Sequence, residues 1–126
     1  MKRLLSCMAA IAAAAAAAIV PLACTSSSAQ IVVGGNGQAG RTAITHYGCG
    51  SCHTIPGVKG ATALVGPPLI HWSRRGFIAG KLANTPDNLQ QWIRDPQSVW
   101  PGNDMPNLGV SAADARNIAA YLDGLS

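Results

Sequence analysis

The 126-residue sequence predicts a small all-α domain, with three short helices joined by long Gly/Pro-rich loops behind an apolar leader. Three observations lead there. Apolar residues divide unevenly: residues 1–29 hold 21 of them, eleven being Ala, whereas residues 30–126 hold 40 of 97, an ordinary proportion for a soluble domain. In that second part, apolar positions recur at helical spacing in three stretches, and no alternating strand pattern or internal repeat occurs. The segments between them are rich in Gly and Pro. A domain this short buries only about 60–65% of its unfolded surface, so it needs a staple such as a metal, a disulfide or a cofactor. Its length excludes a multi-domain enzyme.

Residues 1–29 read as an export leader. Lys2 and Arg3 open it, Leu4 to Val20 is an apolar run broken only by Ser6, and small residues follow Pro21 as far as Ala29. Three fates remain open: cleavage after Ala29, acylation of Cys24 within the lipoprotein-like Leu22-Ala23-Cys24, or retention as a bilayer span of about 20 residues. Each puts the remainder outside the cytoplasmic membrane, in the periplasm, either soluble or membrane-anchored. Without Lys2 and Arg3 the chain carries seven Lys/Arg against five Asp and no Glu, a net of +2. With no basic run and no aromatic-basic interleaving, nucleic acid is not expected as a partner.

Residues 30–37 form a Gly-rich flexible tether, and 38–126 form the domain. Ala39, Ala43, Ile44 and Tyr47 mark one face of a first helix over Gln38 to Gly48, and Gly57 to Ile70 reads as a wrapping loop. A second helix starts at Thr85-Pro86, where Thr suits the N-cap and Pro the first helical position. Leu89, Trp92 and Ile93 are its apolar stripe and Pro96 its stop. A second loop runs from Trp100 to Val110. The last helix opens at Ser111, with Asp114 completing an approximate capping box, and its face is Ala115, Ile118, Tyr121, Leu122 and Leu125.

Only Cys49 and Cys52 lie outside the leader, in Cys49-Gly50-Ser51-Cys52-His53. This is the Cys-x-x-Cys-His pattern of covalent haem attachment. On one helical turn two sulfurs three residues apart project to one side and reach the two vinyl groups of a porphyrin edge. The following His then offers an imidazole nitrogen to the iron. The alternatives fit less well. A Cys49–Cys52 disulfide closes too small a loop to stabilise much. Zinc wants four ligands, yet only His71 follows the motif, and a redox dithiol wants a βαβ setting that is absent.

A low-spin electron-transfer haem needs a second axial ligand. Met105 is the one Met outside the leader, in the stiff stretch Trp100-Pro101-Gly102-Asn103-Asp104-Met105-Pro106, more than fifty residues beyond His53. Core filler is the plain role of a lone Met, but polar neighbours and Pro106 explain that role poorly. His71 is the competing ligand, and it also reads as a loop histidine. His46 reads as a solvated surface residue.

Taken together, Gly48-Cys49-Gly50-Ser51-Cys52-His53, Gly66-Pro67-Pro68-Leu69, Met105-Pro106 and the final helix Ala112 to Leu125 resemble the class I c-type cytochromes, specifically the small bacterial monohaem type. The resemblance covers nearly all of residues 37–126 and implies a cytochrome c-like fold wrapped around one haem c. It implies that the Pro67 carbonyl accepts a hydrogen bond from His53, fixing the ring and raising its basicity. It also implies a crossing of the first and last helices at Gly40 and Ile44 against Tyr121, although Ile44 stands where the family has an aromatic. By the same analogy Trp72, Arg74 and Arg75 lie where propionates bind, with a solvated Arg pair as the alternative. Trp92 and Trp100 are haem-crevice walls or ordinary core.

The expected function is one-electron transfer without substrate chemistry, in an extracytoplasmic respiratory or dehydrogenase-linked chain. Its redox protein partners dock weakly and transiently. Two rivals remain. In one, Met105 is labile and the protein is a haem-based sensor or a peroxidase-like enzyme. In the other, the chain is a tethered haem subunit of a membrane oxidase or dehydrogenase complex.

Overall fold

Helix starts in this chain are set by side-chain oxygens placed where backbone donors would otherwise go unpaired. Asn36 Oδ1 accepts the Ala39 N–H at 2.9 Å and opens α1, Gly37–His46. Thr85 Oγ1 accepts the Asn88 N–H at 3.3 Å and opens α2, Pro86–Arg94. Ser111 Oγ accepts the Asp114 N–H at 3.1 Å and opens α4, Ala112–Asp123. All three helices stand close to the bounds expected from sequence. Pro96 ends α2 as expected, but it also begins a further turn, α3, Pro96–Val99, after the single residue Asp95. The computed structural model describes residues 31–126; the leader, Cys24 and the three alternative fates lie outside the described residues.

The helices α1 and α4 cross closely because Gly40 has no side chain. A Cβ built there would lie 2.0 Å from the Asn117 carbonyl oxygen, so no other residue fits without displacing backbone. Gly40 opposes the Asn117–Ile118 backbone, and further along α4 the Tyr121 hydroxyl donates to Pro56 O at 2.5 Å. Gly40, Ala43 and Ile44 on α1 and Ala115, Ile118, Ala119 and Leu122 on α4 are buried. Leu89 and Ile93 of α2 join the same core. Before α1, Val32 is buried, Gly35 N–H bonds Val32 O, and Asn36 N–H donates to Asn117 Oδ1 at 2.9 Å.

One element has no counterpart in the sequence reading. Residues Phe77–Ile78 (β1) and Leu82–Ala83 (β2) pair antiparallel. Ala79, Gly80 and Lys81 connect them; Lys81 N–H bonds Ile78 O at 2.9 Å, and Ala79 and Gly80 have φ of 49° and 67°, the positive values that a type I′ turn requires at both central positions. Strands two residues long cannot show alternation, so periodicity had nothing to detect. Among the described residues, no helix is long and apolar enough to cross a membrane.

Candidate haem site

Gly48 ends the first helical segment with φ 70°, a left-handed conformation that glycine adopts without a Cβ penalty. The chain then tightens into a 3-10 turn at Cys49–Ser51. Ser51 N–H bonds Gly48 O at 3.0 Å and His53 N–H bonds Cys49 O at 3.1 Å, so the motif is held by its own backbone. In a 3-10 turn, side chains at i and i+3 eclipse, which sends the two cysteines to one side. Neither is in a disulfide, and both are partly buried. Burial pushes the Cys49 thiol up against an opposing backbone hydrogen bond, and Cys52 adds to the rise. Among the described residues no group of three or more His, Cys, Asp or Glu could hold a metal ion.

His53 is oriented from two sides. Its Nδ1 lies 2.8 Å from Pro67 O, which selects the Nδ1–H tautomer and leaves Nε2 as a lone-pair donor. Gly66 makes room for the ring, since a Cβ there would come within 2.5 Å of His53 Cε1. Gly66 N–H in turn bonds Cys52 O at 2.7 Å, and Leu69 N–H bonds Thr54 O at 2.8 Å. These bonds stitch the Gly-Pro-Pro-Leu step directly against the motif.

Met105 sits on a loop built almost entirely from side-chain-to-backbone hydrogen bonds. Its N–H donates to Asn103 Oδ1 at 2.8 Å, and its carbonyl accepts Gln97 Nε2 at 2.9 Å. Gln97 also donates to Asn103 O and accepts Gly102 N–H, while Asn103 Nδ2 reaches Pro96 O and Trp100 O. Sequence reasoning missed both Gln97 and Asn103. The available signal was one amide just before a Pro/Gly-rich loop and another within it.

Trp72 is buried at 5% exposure, and its Nε1 is a buried side-chain nitrogen without a hydrogen-bond partner among the described residues. Leaving such a donor unpaired costs about 1–3 kcal/mol, so its position points to an acceptor from a bound group. Arg75 lies over the Trp72 ring at 5.1 Å and donates to Pro68 O and Ile70 O. Arg74 is exposed. Trp92 packs partly buried against the core, while Trp100 is 43% exposed, with Lys81 Nζ 4.5 Å from its ring centre. His71 is exposed, with φ 48°, and starts the 3-10 turn Trp72–Arg74; His46 is exposed and stacks edge-on against Tyr47.

The residues present fit a covalent haem. A thiol pair shares one side of a turn, an imidazole is fixed with one nitrogen free, and a thioether loop and an unpaired indole donor lie further along the chain. Large apolar side chains stand exposed at Leu64, Val65, Ile70, Phe77, Trp100 and Leu108 on the loops and the hairpin, and at Ile31 and Val33 before α1.

Known proteins agree with this reading. The sequence pattern of the family described as Cytochrome c matches residues 37–126. Cytochrome c oxidase subunit 2 of Alkalihalophilus pseudofirmus is 39% identical over 87 residues, covering 68% of this chain and 25% of the relative. The subunit of the same name from Bacillus subtilis is 33% identical over 75 residues, covering 58% and 21%. The chain thus spans no more than a quarter of the length of these curated relatives. Among solved structures, cytochrome c2 from Rhodobacter sphaeroides superposes with a TM-score of 0.51 at 25% identity, covering 72% of this chain and 96% of that one.

Proposed function

The chain belongs to the cytochrome c family, class I electron carriers built around covalently bound haem c, and on that premise we propose that Cys49 and Cys52 form the thioethers while His53 and Met105 ligate the iron. The observation that carries this reading is the hydrogen bond from His53 Nδ1 to Pro67 O at 2.8 Å, which frees Nε2 for a metal beside two unbridged cysteines. The haem supplies one iron that passes between ferrous and ferric states. The residues do the rest. His53, backed by Pro67, keeps one orientation. Held by His53 and Met105, the iron would favour the ferrous state relative to ligation by two histidines. Two side-chain ligands would also keep oxygen and peroxide from the iron, which suits a carrier rather than an enzyme. Ligands anchored by two hydrogen-bonded loops also move little between oxidation states.

The carrier works outside the cytoplasmic membrane in a respiratory chain, on the reading of residues 1–29 as an export leader. A net of +2 beyond that leader, offset by two propionates, gives little long-range steering, so docking is short-range and transient. The relatives named as cytochrome c oxidase subunit 2 favour a second reading of the partner: a haem domain that delivers electrons to a terminal oxidase, held in the complex or tethered beside it.

Carbon monoxide tests the closed site. Spectra of the ferrous holoprotein with and without the gas should coincide at neutral pH; rapid adduct formation would instead assign the protein as a sensor or peroxidase with a labile sixth ligand. Purification of the tagged protein from detergent-solubilised membranes of its own cell separates the partner readings. A stoichiometric oxidase in the eluate assigns a subunit, and the protein alone assigns a mobile carrier.

A further inference from the structure

If Met105 is the sixth ligand, what holds it at the iron is not a helix. The loop from Trp100 to Val110 contains no regular element, and Met105 is fixed at both of its backbone polar groups by two side chains. Asn103 Oδ1 takes its N–H in a turn from i to i+2, the Asx geometry that imitates a backbone turn. Gln97 Nε2 takes its carbonyl. Gln97 belongs to α3, which is packed through the buried Pro96, so it ties the loop to a fixed element. Its amide is used fully: Nε2 bonds Asn103 O and Met105 O, and Oε1 accepts Gly102 N–H at 3.0 Å. Asn103 is similarly engaged, with Nδ2 donating to Pro96 O at 3.0 Å and to Trp100 O. Six hydrogen bonds from two amides therefore converge on the segment 96–105.

We propose that Gln97 and Asn103 are positioning residues for the sixth ligand, and that their hydrogen bonds set how often Met105 leaves the iron. The proposal rests on the His53/Met105 reading. The physical argument is a population argument. An external ligand reaches the iron only in molecules where the sulfur has swung away, and its apparent rate scales with that fraction. Swinging Met105 away while α3 stays packed breaks the bonds at its N–H and C=O. Each such bond contributes about a fivefold to tenfold change in the open population. The loop thus closes the site that a labile ligand would open, and the grip lies in two amides rather than in Met105 itself. Neither amide titrates, so this grip does not depend on pH over the physiological range.

The test uses the ferric holoprotein and cyanide as the probe. The rate at which cyanide displaces the axial sulfur is followed beside the near-infrared sulfur-to-iron charge-transfer band and the thermal midpoint. Gln97→Leu and Asn103→Ala should each raise the cyanide rate about tenfold and weaken the band. Asn103→Asp keeps the oxygen for the Met105 N–H but loses the donors to Pro96 O and Trp100 O, so its cyanide rate should lie above the parent's and no higher than that of Asn103→Ala. Gln90→Leu, which removes the amide bond from Gln90 Nε2 to Pro86 O on α2, should lower the midpoint without altering the cyanide rate. If Gln97→Leu gives no holoprotein, Gln97→Glu carries the same expectation, since at neutral pH it retains the acceptor for Gly102 and has no donor for Met105. The proposal is overturned if Gln97→Leu (or Gln97→Glu) and Asn103→Ala lower the midpoint as Gln90→Leu does while leaving the cyanide rate within twofold. A parent protein that lacks the charge-transfer band overturns the Met105 reading instead, and the proposal with it.

Discussion

The two sides of this domain are held together by different means. On one side, α1 and α4 cross at Gly40 with Ala115 and Ala119 fully buried between elements, so helix packing alone completes the structure. On the other, residues 57–71 and 100–110 are loops, joined to the short turns at Trp72–Arg74 and Pro96–Val99, and Gln97, Asn103, Arg75 and Asn84 bond carbonyls along these segments. That side leaves Leu64 and Val65 about four-fifths exposed and Trp72 Nε1 unpaired. The first side is a scaffold that the chain completes by itself. The second is a mould, and it is complete only around a prosthetic group. A chain of this size places its apolar core partly outside its own sequence.

The mould should fail first when the haem is detached. Replacing both Cys49 and Cys52 by Ala should leave no haem resistant to acidic organic solvent, with loop amides losing hydrogen-exchange protection before those of α1 and α4. Covalent haem in the doubly substituted protein would refute the attachment sites. The scaffold fails differently. Gly40→Val places a side chain against the Asn117 carbonyl and should cost about 3 kcal/mol by overpacking, measured by denaturant unfolding, while the folded fraction keeps its visible spectrum. A spectrum that changes as much as the stability would show that the two sides are not separable.

Trp72→Phe is subtler, because it removes only the indole N–H. If that group donates to the haem, the holoprotein should lose about 1 kcal/mol; a holoprotein as stable as the parent or more so would mean the donor stays unpaired. The smallest effect belongs to Asp114, which links the scaffold to the end of α1. Hydrogen bonds from Ser111 and then Tyr47 hold its carboxyl below the ordinary aspartate range. Its stabilisation is therefore present above the unfolded-state pKa and is lost as pH falls through the lower folded value. Thermal midpoints taken from about pH 6 down to about pH 2 should show this loss in the parent and a shallower acid limb in Asp114→Asn.

The same division explains what could be read from sequence. Helix starts were legible because caps are local: Thr85-Pro86 and Ser111 with Asp114 each announce themselves within four residues. The haem motif was legible because its chemistry demands fixed spacing, and Pro67 could be placed through the Gly-Pro-x-Leu step. The mould was not. Gln97 touches Met105 and Asn103 only because α3 brings them together, and no periodicity reports a side chain bonding a distant carbonyl. Likewise Trp72 could be suspected near the haem, but its unpaired nitrogen is visible only once its neighbours are placed. Gly40 could be assigned to the crossing from the resemblance, but the backbone it meets at Asn117–Ile118 is visible only once the helices are placed.

The central claim is that the mould closes on iron between His53 and Met105. The most direct measurement is the near-infrared spectrum of the purified ferric protein beside that of Met105→Ala, with the mass of each recorded to confirm covalent haem. The account predicts a sulfur-to-iron band in the parent that vanishes in the variant while the haem mass stays. A parent without that band, or a variant with an unchanged low-spin spectrum, would contradict it and turn attention to His71.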